Sequence, residues 1–104
     1  MRIFRSIFRE QKTRLQVDWL THTDELIMLE LSDGVSEAPS TIAADIDRSV
    51  EYVADRCRQL AIRGLLDEIT SSREDGRHYI LNDLGTRYIR GEISADELEE
   101  LDRE

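Results

Sequence analysis

The sequence predicts an α+β domain, helical at its start and finish, with one small antiparallel hairpin between. Two closely spaced helices are the main signal. The stretch Glu37 to Leu66, EAPSTIAADIDRSVEYVADRCRQLAIRGLL, reads as a short helix from Pro39 to about Ile46, then a tight turn at Asp47-Arg48. A longer helix follows from Ser49 to about Arg63 and stops at Gly64. The hydrophobic period then changes from that of a helix to that of strands: Leu65, Leu66 and Ile69 lie before a polar, turn-rich Ser71 to Gly76, and His78-Tyr79-Ile80-Leu81 after it. Helical signals return beyond Asn82.

Each element has a local cause. Trp19-Leu20 precede Thr21, an N-cap with Asp24 three residues on in a capping-box variant. The helix so started runs to about Leu31 with Ile27, Met28 and Leu31 inward, and Ser32-Asp33-Gly34 ends it. Leu26 and Leu29 widen its apolar surface, which suits a subunit contact. Pro39 fits the first turn of the next helix, where its missing N–H would have no partner anyway. In the longer helix Val50, Val53, Cys57 and Leu60 fall at i, i+3, i+7 and i+10, a single buried face. Arg48, Tyr52, Arg56 and Gln59 point elsewhere, and Arg58 and Arg63 flank the far end. Alone, the pair reads either as a helix-turn-helix or as a hairpin inside an all-α domain. The β-hairpin directly after the second helix favours a winged helix-turn-helix: a three-helix core, a two-stranded wing and C-terminal helices. Asn82 caps a helix from Asp83 to about Arg90 with Tyr88 and Ile89 inward. Ser94 and Glu97 form a second capping box before Leu98 and Leu101.

The 104 residues suffice for one domain and one modest core. No run approaches the roughly 18 apolar residues of a membrane span. The N-terminus has no continuous apolar core or small-residue cleavage site, so a secretory signal is not expected. The single cysteine, Cys57, rules out an internal disulfide, fits a reducing cytoplasm and reads as core filler. The charge balance is unusual, with 23 acidic residues against 14 basic and a net −9. Lys12 is the sole lysine. An acidic, lysine-poor chain looks like the product of a halophilic cell with multimolar internal salt. At 1 M salt the screening length is about 3 Å, so distant acid hardly affects a phosphate contact and the local sign decides. Residues 1–15 hold Arg2, Arg5, Arg9, Lys12 and Arg14 against Glu10 alone. Residues 48–63 hold Arg48, Arg56, Arg58 and Arg63 against Glu51 and Asp55, whereas acid crowds residues 92–104. The chain therefore divides into a basic amphipathic segment at 1–17, the winged domain at 18–93 and an acidic C-terminal helix at 94–104. In the first of these, Ile3, Phe4, Ile7, Phe8 and Leu15 near helical spacing leave three readings. They are a helix on a partner subunit, a basic arm along DNA, and a helix on anionic lipid; the exposed cost of the apolar pairs favours the first.

The chemistry this pattern supports is recognition of DNA. A helix whose first turns enter the major groove needs side chains able to reach base edges. Arg48, Ser49, Tyr52 and Arg56 lie near that end. Arginine takes guanine through two hydrogen bonds, serine and tyrosine hold phosphate, and tyrosine also meets a thymine methyl. Glu51 suits cytosine N4 or simply the positive helix end. Arg73 and Arg77 are wing contacts to the backbone or minor groove. Catalysis is not indicated. His22 and His78 are far apart and beside no ligand-spaced partner, so no metal is expected. The five glycines stand singly, which excludes a phosphate-cradling loop. No cofactor, small-molecule substrate or membrane partner is implied.

A family resemblance runs along the same residues. Trp19-Leu20-Thr21 with Asp24, Ile42-Ala43, Tyr52-Val53, Arg56-Cys57 with Leu60, and Gly64-Leu65-Leu66 resemble the haloarchaeal winged-helix repressor family typified by a haloarchaeal phage repressor. Tyr79-x-Leu81, Leu84-Gly85, Tyr88-Ile89-x-Gly91-Glu92 and Ala95-Asp96-Glu97-Leu98 continue the likeness, which covers roughly residues 18–99. It implies a DNA-binding regulator with a wing, commonly dimeric. Two features depart from the pattern: the basic segment before Trp19 is longer than usual, and Asn82 stands where a threonine is more typical. The expectation is a sequence-specific double-stranded DNA-binding transcriptional regulator, a repressor acting as a homodimer. The alternative is a winged-helix protein-interaction module that does not bind DNA.

Overall fold

In a computed structural model, residues 19–70, 76–94, 96–98 and 100 are described. Helix α1 (His22–Glu30) begins at the predicted cap: the Asp24 N–H donates to the Thr21 hydroxyl at 3.1 Å, and the Thr21 N–H donates to the Asp24 carboxylate at 2.9 Å. Both groups would otherwise be orphans of a helix end. Ile27, Met28 and Leu31 are fully buried, as their spacing requires. Leu29 packs against the core rather than standing clear of it.

Helix α2 (Pro39–Ile46) has Pro39 in its first turn and ends at Asp47, whose φ of 61° is left-handed. Aspartate tolerates that conformation better than most residues with a Cβ. The Arg48 N–H closes the turn on the Ala43 carbonyl at 3.0 Å. Helix α3 (Val50–Ile62) starts one residue beyond its cap, Ser49, whose hydroxyl accepts from the Tyr52 N–H at 3.1 Å. Its buried face is Val53, Cys57 and Leu60. Val50 does not join that face: expected inside, it is 49% exposed. Every residue from Asp47 to Tyr52 is exposed, so the first turn of α3 protrudes beyond the elements that cover the rest of the helix.

Gly64, at a φ of 85°, reverses the chain into the wing. Strand β1 (Leu66–Thr70) pairs antiparallel with β2 (Arg77–Leu81), in a register running from Leu66↔Leu81 to Thr70↔Arg77. One face alone is covered, and in β1 only Leu66 is buried; Ile69 lies outward. A further pairing was not legible in the sequence. Glu37, just before α2, exchanges both backbone hydrogen bonds with Tyr79, at 3.0 and 2.9 Å. The segment between α1 and α2 thus adds one antiparallel bridge to the wing.

Helix α4 (Asp83–Ile89) is capped by Asn82, whose side-chain oxygen accepts from the Gly85 N–H at 2.9 Å. The Asn82 amide also donates to the Gly64 carbonyl and the Asp67 carboxylate, at 2.8 and 3.1 Å. One side chain therefore joins the end of α3, the start of the wing and α4. Ser94 and Glu97 form the predicted capping box, and Leu98 beyond it is buried. Helices α1 to α3 with the hairpin and α4 make the winged helix-turn-helix the sequence predicts. Residues 1–17, most of the acidic tail and Arg73 at the wing tip lie outside the described residues.

Candidate nucleic-acid interface

The part of this fold shaped to enter a groove is the start of α3. Its exposed run Asp47-Arg48-Ser49-Val50-Glu51-Tyr52 stands at the positive end of a 13-residue helix. Arg48 is exposed there, and its guanidinium donates to the Ile46 and Asp47 carbonyls at 3.2 and 3.1 Å, capping the end of α2. These bonds use one terminal nitrogen and hold the group beside the turn, with its other N–H donors unassigned. Ser49 is tied as an acceptor to the Tyr52 N–H, which leaves its hydroxyl hydrogen to donate. Tyr52 is 42% exposed.

Arg56 has a different role from the one its position suggests. Its Nε and Nη2 donate to the two oxygens of Asp24 at 2.9 and 2.8 Å, and Nη2 donates also to the Trp19 carbonyl at 2.6 Å. Asp24 is fully buried and the Arg56 side chain is 16% exposed. Hydrogen bonding to Asp24 holds the Arg56 pKa above its ordinary value. In this structure Arg56 is an internal clamp, fastening the start of α1 to the middle of α3. Sequence spacing missed it because the partners are 32 residues apart and helical periodicity reports only neighbours.

The other arginines of this segment are also engaged. Arg58 reaches Asp55 on its own helix at 3.4 Å, and the Arg63 guanidinium lies 4.5 Å from the centre of the Trp19 ring. Of the four arginines of this helix edge, Arg56 and Arg58 are therefore paired with carboxylates within the subunit, while Arg48 meets backbone carbonyls and Arg63 lies over the Trp19 ring. On the wing, Arg77 is half exposed and pairs with Glu68 at 2.9 Å. It is the first residue of β2.

Two buried or clustered groups bear on chemistry. Burial pushes the Cys57 thiol up to about 12, so it is no nucleophile near neutral pH. Carboxylate oxygens of Glu30, Glu37 and Asp45 lie within 4.8 Å of one another, the one such triad among the described residues. Glu30 is pushed up to about 7, by burial first and then by a hydrogen bond with Asp45. Burial, with Asp45 and Asp33 nearby, raises Glu37 as well. Burial and these neighbours favour the protonated form of Glu30, which suits so close an approach of carboxylates. Of the residues expected in the core, Val50 is the one the fold adds to the exposed turn at the start of α3.

This geometry agrees with what the chain resembles. Residues 13–101 match the family described as winged helix-turn-helix phage repressor. The chain is also 35% identical over 88 residues to the protein named "Repressor protein" of Halobacterium phage phiH, an alignment spanning 81% of this chain and 94% of that relative. With the element order, the wing and the protruding second helix all in place, the chain belongs to the winged helix-turn-helix phage repressor family.

Proposed function

We propose that this protein is a non-enzymatic, sequence-specific DNA-binding transcriptional repressor. The observation that carries the reading is the unbroken exposed run from Asp47 to Tyr52 at the N-terminus of α3, in a chain of a repressor family. A helix end that projects beyond its own subunit fits the major groove, about 12 Å wide. Arg48, Ser49 and Tyr52 are the contacts from that turn. Arg77, and Arg73 at the wing tip, follow the adjacent backbone or minor groove. Arg56 acts at one remove, fixing the angle at which α3 leaves the body. Repression follows from occupancy of an operator near a promoter, in the cytoplasm where that DNA is. The name of the phage relative supports this, and the acidic, lysine-poor composition supports a salt-rich cell.

A homodimer would double the reading surface across a palindromic site. The described surface of α1 exposes no large apolar residue, so the basic amphipathic segment before Trp19 is the better candidate for the subunit contact. Sedimentation of the full chain and of a chain lacking residues 1–16 tests it: a dimer that becomes a monomer supports that contact, and unchanged association refutes it.

The decisive experiment is a titration against upstream DNA fragments of the host and phage genomes at several salt concentrations. Affinity should fall with salt at a log–log slope of about −0.9 per phosphate neutralised. Arg48→Ala should reduce that slope by about 1 per protomer, and Tyr52→Ala should weaken binding. If no fragment is retained at any salt in which the protein is folded, the repressor reading fails. The net charge of −9 would then favour a protein-interaction module meeting a basic partner.

A further inference from the structure

Val50 is anomalous in this fold. It continues the spacing of the buried Val53, Cys57 and Leu60, yet it is 49% exposed at the first residue of α3. A lone exposed valine needs no explanation on most surfaces. Here its place supplies one, because it sits in the unbroken exposed run Asp47 to Tyr52, the turn that reads DNA if the function proposed above holds. Arg56, Arg58 and Arg63 are engaged inside the subunit, and the Arg48 guanidinium donates to the Ile46 and Asp47 carbonyls. Ser49 is partly occupied in capping its own helix. Phosphate attraction says nothing about sequence in any case. Beside the polar contacts of Arg48, Ser49 and Tyr52, Val50 gives this turn an exposed aliphatic side chain, and the one apolar group on the floor of the major groove is the thymine 5-methyl. Contact with a methyl group also escapes the salt screening that weakens phosphate contacts.

We propose that Val50 is a specificity-determining residue that reads a thymine methyl group in the major groove of the operator. The inference rests on the repressor reading and adds to it a base preference at one position of each half-site. Its test starts from a duplex selected by the wild-type protein from a random pool, so no operator need be known beforehand. Each thymine of that duplex is replaced in turn by deoxyuridine, which removes the methyl and leaves the hydrogen-bonding edge unchanged. Fluorescence anisotropy titrations then compare wild type, Val50→Ala and Val50→Thr. At one thymine per half-site, wild-type affinity should drop about fourfold, the effect of removing one methyl from an apolar contact. Val50→Ala should bind the thymine duplex more weakly by a similar factor and should no longer distinguish thymine from uracil there. Val50→Thr, which keeps the shape and one methyl, should fall between. Unchanged circular dichroism is expected for both variants, because the side chain touches no core. Wild-type indifference to every uracil, or discrimination that survives in Val50→Ala, overturns the inference while leaving DNA binding intact. Failure of the wild type to select any duplex overturns the repressor reading and this inference with it.

Discussion

Replacing Arg56 by alanine should damage the fold more than any groove contact. Asp24 is completely buried and accepts three hydrogen bonds in this structure: two from Arg56 and one from the Thr21 N–H. After the substitution the carboxylate stays buried with the backbone donor alone, and the Trp19 carbonyl loses its guanidinium partner as well. Breaking a buried, hydrogen-bonded pair by removing one member costs about 3–5 kcal/mol, because the remaining charge is stranded. For a domain of this size each kcal/mol moves the melting temperature by about 4 °C, so a drop of about 12–20 °C is expected. Calorimetry or thermal circular dichroism in the salt where the wild type is folded measures it. Salt should not abolish the effect, since a buried pair is screened far less than an exposed one. Replacing both members together, Asp24→Leu with Arg56→Met, should recover much of the loss, because an apolar pair of similar volume avoids the stranded charge. A loss below about 1 kcal/mol in Arg56→Ala, with DNA binding abolished, would mean that the guanidinium is a groove contact after all.

Three further outcomes follow from particular side chains. Stability should fall as pH rises from about 4.5 to about 7, the interval between the ordinary and the folded pKa of Glu30; its protonated form favours the fold, and Glu37 acts in the same direction. Denaturant melts of Glu30→Gln should lose most of that fall, and an unchanged pH profile would exclude the protonated Glu30. Gly85→Ala, which in an exposed helix would gain about 1 kcal/mol, should here destabilise by about 1–3 kcal/mol. A Cβ at this position would run into the Leu65 carbonyl oxygen and come within 2.6 Å of a Leu81 methyl, and a raised melting temperature would contradict that packing. Asn82→Thr should keep the α4 cap but lose both amide bonds, to the Gly64 carbonyl and to Asp67, costing about 1–2 kcal/mol in urea melts.

What the sequence discloses and what it hides divide along a physical line. Pro39, Thr21 with Asp24, Asn82, and Ser94 with Glu97 mark helix starts because capping is settled within four residues, and all four stand where the structure has them. The change of period at Leu65 is equally local and yields the wing. The Glu37–Tyr79 bridge is a single pair without a pattern of its own, so no period announces it. The triad of Glu30, Glu37 and Asp45 is likewise assembled by three separate segments.

Val50 and Arg56 differ from their expected surroundings for opposite reasons. Periodicity assigns Val50 to a face but does not say where along the helix that face stops being covered; the structure ends the cover at Val53. Arg56 borders the buried face of α3, about 40° round the helix from Leu60, and its guanidinium turns inward to the buried Asp24, which is tied into the α1 cap. The exchange sends a charge inward and an apolar side chain outward at the helix proposed to read DNA. A protein of net −9 gains from that arrangement. A tip relying on cations would have its attraction screened as salt rises, whereas shape and methyl contact at the same tip keep their discrimination.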